Sequence, residues 1–136
     1  MVARQWEYVG GGGDAKPSEV EKQTIASGCE RFIKDVLKPR FLPEIHPTEF
    51  NYCTDIFGKW HGSNYRFLQQ YRNDRPDQFV EPEFTAPFAR LAYVGPDRFD
   101  LSYFRHTGQW WPIDRGATLD QAFELLVTNP AYHPII

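Results

Sequence analysis

Arg90, Tyr103, Arg105, His106, Trp110 and Trp111 are interleaved along the runs PFARLAYV, RFDLSYFRH and QWWPI. A guanidinium is drawn to an indole face by the ring's quadrupole. An exposed tryptophan beside arginine can hold a peptide, an aromatic ligand or a single-stranded base. Arg90, Tyr103, Arg105, Trp110 and Trp111 are therefore the candidate binding residues. Neighbouring residues of a strand point to opposite faces, so Trp110 and Trp111 cannot enter the same side of a sheet. One ring is expected in the core. The other is expected to be exposed, or covered by the Trp6 segment or across a homodimer contact. Large aromatics are highly buried on average, which favours packing over ligand capture for the second ring.

Acid–base chemistry has thinner support. The candidates are His106 with Asp100 or Asp114, which would make a small hydrolase or another ligand-processing enzyme. General acid–base groups must be poised near the working pH by burial or neighbours. Asp97 and Asp114 sit in turn-like contexts where aspartate serves local hydrogen bonds, and Asp100, between Phe99 and Leu101, is expected to face solvent. No G-x-S-x-G elbow supplies a hydroxyl nucleophile. His46, His61, His106 and His133 form no H-x-x-x-H, and neither Cys29 nor Cys53 lies in a C-x-x-C, so no metal is expected. Cys53 could meet His61 across a hairpin turn, but a half-buried thiol and an exposed turn histidine are the simpler expectation. Cys29 reads as a small core residue on a helix. VGGGGDAKPS departs from a phosphate loop, because two residues separate Lys16 from Gly13 and Pro17 follows it. No cofactor is expected.

Composition narrows the classes further. The 136 residues fit one domain, 1–136, with 41% hydrophobic and 16% aromatic side chains for its core. A net charge of -3 disfavours nucleic acid, whose binding rests on neutralising phosphates. Two cysteines are too few for a disulfide framework. No apolar run approaches the length of a membrane span, and MVARQWEYVGGGG lacks the apolar stretch of a secretory signal. A cytoplasmic protein is expected.

The elements that must position these residues can be read in order. Residues 1–16 form a flexible or edge-docking segment, broken by Gly10–Gly13. Ser18 and Glu21 have capping-box spacing at the start of a helix over Ser18–Lys38. Its inner face would carry Val20, Ile25, Cys29, Phe32, Ile33, Val36 and Leu37, leaving Glu21, Lys22 and Lys34 wet. Pro39 is expected to close it. Strands are expected at Phe50–Lys59, with Phe50, Tyr52, Thr54 and Ile56 on one face, and at Tyr65–Arg72 after a turn at His61–Asn64. A charged loop, Asn73–Ala86, leads to strands at Pro87–Val94 and Phe99–Arg105. A short Gln109–Trp111 strand follows, ended or pushed to an edge by Pro112. Thr118 and Gln121 repeat the capping box before a helix over Leu119–Thr128 with Leu119, Ala122, Phe123 and Leu126 inward. This order predicts an α+β fold: an N-terminal helix, an antiparallel sheet of four to five strands and a C-terminal helix, with the helices on one face.

Ala89-Arg90-Leu91-Ala92-Tyr93, Phe99-Asp100-Leu101-Ser102-Tyr103, Trp110 with Trp111, and Leu125-Leu126 before Asn129-Pro130 resemble the motifs of a family of small bacterial proteins known as a domain of unknown function. In that family an A-R-F-R-Y strand, a W-x-L-Y-W strand and a W-x-x-Y turn precede a leucine-rich helix ending in Asp-Pro. Phe99, Ser102 and Asn129 depart from its tryptophan, tyrosine and aspartate. The resemblance implies the fold and brings no catalytic residue with it. The sequence thus favours a non-enzymatic interaction domain binding a protein or small ligand through an aromatic sheet surface. The enzyme built on His106, and behind it a single-strand nucleic-acid binder, are the alternatives.

Overall fold

The computed structural model describes residues 15–74 and 82–135. Trp6, the tetraglycine tract and the middle of the 73–86 loop lie outside the described residues. Helix α1 (Glu19–Phe32) is followed by a π-helical turn, Ile33–Leu37, and a last α-helical turn, α2 (Lys38–Phe41). Five strands come next: β1 (Tyr52–His61), β2 (Asn64–Arg72), β3 (Glu83–Gly95), β4 (Arg98–Phe104) and β5 (Trp110–Ala117). Helix α3 (Leu119–Thr128) and a 3-10 turn, Pro130–Tyr132, close the chain. The strands form one antiparallel sheet in the order β1-β2-β3-β4-β5. The α+β architecture expected from the sequence is the one observed.

Both capping boxes form. Ser18 and Thr118 accept from the Glu21 and Gln121 amides, and the Glu21 and Gln121 side chains accept in return from the cap amides. Pro39 does not close the first helix, which runs on to Phe41. A proline ring clashes with the carbonyl four residues before it. The wider π turn, in which the Lys38 amide donates to Ile33, opens the backbone just ahead of that ring.

Ile25, Cys29, Ile33 and Leu37 form the buried face of this helical run. Val20 does not belong to it, being 73% exposed on the first turn. Nor are Glu21 and Lys22 fully wet. The Tyr93 hydroxyl donates to Glu21 at 2.7 Å, and the Lys22 ammonium lies 5.3 Å from the Trp60 ring centre. Phe32 is half-buried and stacks on Phe123 of α3 at 4.3 Å, joining the two helices. Gly28 sits where they meet, 3.6 Å from Leu119 were it to carry a Cβ.

The helices cover the sheet face that carries Ile56, Tyr65, Phe67, Ala89, Leu91, Tyr93, Phe99 and Leu101. Bulges set which residues reach it. One between Cys53 and Asp55 shifts the phase of β1, so Cys53 is buried while Thr54 is not aligned with Ile56 as expected. Phe50 lies before β1 and is 61% exposed. A second bulge pairs Phe67 with Ala89 and Leu68 with Pro87, leaving Phe88 as the extra residue. This is how a proline is carried by the middle strand of a sheet, where it cannot donate to the ladder. Residues 83–86, expected in a loop, already belong to β3. Pro112 does not end β5, which continues to Ala117 as an edge strand. Gly58 is required on β1, since a Cβ there would collide with the Tyr65 ring.

Candidate functional site

The pleat sends Trp110 and Trp111 to opposite faces, through pairing with Phe104 and Tyr103 respectively. Neither ring enters the core. Trp111 is 48% exposed on the helix-bearing side, and Trp110 is half-buried on the other face. The reason is their position on an edge strand, with no strand beyond β5 to flank Trp111 and no described helix packed over the face that Trp110 occupies.

On that second face Trp110 builds a site. The ring meets Phe104 edge-on at 5.0 Å and reaches across β4 to two guanidiniums. The Arg90 guanidinium carbon lies 4.6 Å from the indole centre and that of Arg66 lies 5.5 Å from it. Arg66 and Arg90 are direct cross-strand partners of β2 and β3. Like charges directly opposite each other destabilise a sheet. No carboxylate offsets them: among the described residues neither arginine has an ion-pair partner, and both Nε atoms are buried without a hydrogen-bond partner. Desolvation, with the Arg66 charge second, holds the Arg90 guanidinium below its ordinary pKa. It remains a cation at neutral pH, as arginine does in proteins. Stacking on an indole contributes about 0.5–2 kcal/mol. An unsatisfied buried donor costs about 1–3 kcal/mol. The outcome is a cationic, rigidly backed surface on which an oxyanion can be gripped by planar donor forks.

The remaining sequence candidates lie elsewhere. Tyr103, Arg105 and His106 line a cleft on the helix-bearing side, where the Arg105 guanidinium stacks on Trp111 at 4.9 Å. Asp100 does not face solvent freely: its side chain is 15% exposed, accepts from the Gly116 amide at 2.9 Å and lies 3.6 Å from Arg115. Asp114 stands in β5 rather than a turn and accepts from the buried Tyr132 hydroxyl at 2.7 Å. Phe104 stands four residue steps along β4 from Asp100, roughly 13 Å at about 3.3 Å per residue, and His106 lies farther on. The structure therefore does not bring His106 together with Asp100. Cys53 and His61 stand at opposite ends of β1. Among the described residues no three His, Cys, Asp or Glu side chains converge as a metal site would require.

Arg66 is the member of this candidate site that sequence reasoning missed. Its signal was the alternation of Tyr65-Arg66-Phe67-Leu68, which places a charge on the face away from the core. Which residue it would oppose depends on register, and a long connection between β2 and β3 does not fix register as a tight turn does.

Residues 17–133 match the family model described as Domain of unknown function (DUF3024). The chain belongs to this family. The match spans both helical regions and all five strands, so the paired arginines and both tryptophans lie within the DUF3024 domain. No curated protein and no solved structure matches the chain. No described helix is long and apolar enough to cross a membrane.

Proposed function

We propose that this domain is a non-enzymatic, cytoplasmic binding module that captures an acidic segment of a partner protein on its open sheet face. Arg66 and Arg90 would grip the carboxylates, and Trp110 would hold both guanidiniums in place. The observation that carries this reading is the cross-strand arginine pair, stacked on one indole with neither charge neutralised among the described residues. Such a pair does not help the fold, and a bound anion removes both its repulsion and its unmet donors. The site lies on a sheet surface, which suits a macromolecular partner better than the concave pockets that take small ligands. Two guanidiniums make a small cationic footprint, which suits a few carboxylates of an acidic peptide better than the many phosphates of a nucleic acid.

Calorimetric titration with a hexaglutamate peptide tests the reading, with hexalysine and oligothymidylate as controls. Hexaglutamate is expected to bind and to lose about ten-fold or more in affinity in the Arg90→Met variant, since charge-assisted forks are the stronger hydrogen bonds. Equal binding by the variant would contradict the proposal. Tighter capture of oligothymidylate than of hexaglutamate would transfer the surface to nucleic acid.

A further inference from the structure

A second feature, independent of the open face, lies on the helix-bearing side. A cleft of about 620 Å³ opens where the ends of β2, β3 and β4 meet the C-terminal tail. That volume falls within the range of small-molecule sites, roughly 300–1,000 Å³. Its apolar wall includes Phe88, the residue that the β3 bulge turns inward, and Ala131 of the 3-10 turn. The tail is not loosely laid. The Gln69 side chain is buried and bonds both backbone groups of Ile135, at 2.7 and 3.1 Å, and the Tyr71 hydroxyl donates to the same carbonyl at 3.1 Å. This wall of the cleft is therefore formed before any ligand arrives.

Arg105 and the two histidines His106 and His133 line the cleft, and none of its described lining residues is acidic. The Arg105 guanidinium stacks on Trp111 and has no carboxylate partner among the described residues. The Tyr103 hydroxyl, two residues before it on the same side of β4, also has no hydrogen-bond partner there. The Arg105 amide donates to Gln109 at 2.8 Å and holds the hairpin end in register beneath them. A donor fork and a free hydroxyl at the mouth of an apolar cavity are complementary to one kind of molecule. We infer that this cleft binds a small aromatic carboxylate, its carboxylate on Arg105 and Tyr103 and its ring against Phe88 and Ala131.

The probe is 1-naphthoate, compared with neutral 1-naphthamide and cationic 1-naphthylmethylamine, using the wild-type chain and the Arg105→Met, Tyr103→Phe and Lys34→Met variants. Naphthoate is expected to bind about ten-fold or more tightly than either control, as a charge-assisted fork should discriminate. Arg105→Met should erase that preference, Tyr103→Phe should weaken it, and Lys34→Met, at an exposed helix position far along the chain, should leave it unchanged. Amide shifts in the wild-type NMR spectrum give a readout that does not depend on any variant folding. They are expected at Phe88, Tyr103 and Ala131. Equal affinity for the three probes, no binding at millimolar naphthoate, or shifts centred on Arg66 and Trp110 would each overturn the inference.

Discussion

The two faces of this sheet solve the problem of burial in different ways. On the helix-bearing face, the strands present Ile56, Phe67, Leu91, Phe99 and Leu101 to Ile25, Ile33, Ala122 and Leu126. Polar groups there are mostly answered: Tyr93 donates to Glu21, Tyr132 donates to Asp114, and Gln69 holds Ile135. Among the described residues, the buried side-chain atom without a partner on that face is the Tyr65 hydroxyl, a neutral group. On the open face, two positive charges are set side by side and their Nε atoms are left unmet. A fold selected for stability alone has no use for the second arrangement, because like charges directly opposite in a sheet destabilise it and an unmet buried donor costs about 1–3 kcal/mol. The difference teaches that the covered face explains why the chain folds, while the open face carries a charge pair that folding does not explain.

Substitutions should separate the faces in order of size. Phe67→Ala, at a fully buried position between Tyr65 and Phe88, is expected to cost about 3–5 kcal/mol. Denaturant unfolding checks it, and a loss below about 1 kcal/mol would mean that the covered face is looser than its packing implies. A smaller, pH-dependent effect is expected from Glu21→Gln. The Ser18 amide, with the Tyr93 hydroxyl second, holds the Glu21 carboxyl below its usual pKa. A depressed carboxyl contributes stability above its unfolded pKa of about 4.3 and loses it as pH falls through the folded value. The stability gap between wild type and variant should therefore be constant at neutral pH and narrow below about pH 4. A gap that widens on acidification would reverse the assignment.

Much of the covered face was legible in the sequence, because capping boxes, the α3 stripe and the alternation of β3 and β4 act over a few residues. Ser18, Thr118 and the Leu119–Thr128 helix needed no tertiary information. What escaped was set by contacts distant along the chain. Pro39 reads as a helix stop unless a π turn precedes it, and Phe50 reads as a strand residue although β1 begins only at Tyr52. Trp110 was legible as a face-switching partner of Trp111, yet its role depends on Arg66, 44 positions away in the chain. That pairing is a matter of register between β2 and β3, where bulge and loop override local alternation. Asp114 similarly reads as a turn aspartate until Tyr132 is brought over β5 from the C-terminal side.

The central claim is that the Arg66–Arg90 pair serves binding and not folding. Its most direct test is the unfolding free energy of the Arg66→Met variant without ligand. Methionine keeps the length of the side chain while removing the charge, the unmet Nε and the repulsion across the β2–β3 ladder. Against these gains stands one lost indole stack, of about 0.5–1 kcal/mol at a partly exposed site. The expected result is a free energy within about 0.5 kcal/mol of wild type, or higher, as for relief of cross-strand like charge. A loss of about 2 kcal/mol or more would show that the guanidinium holds the fold together, and would contradict the account.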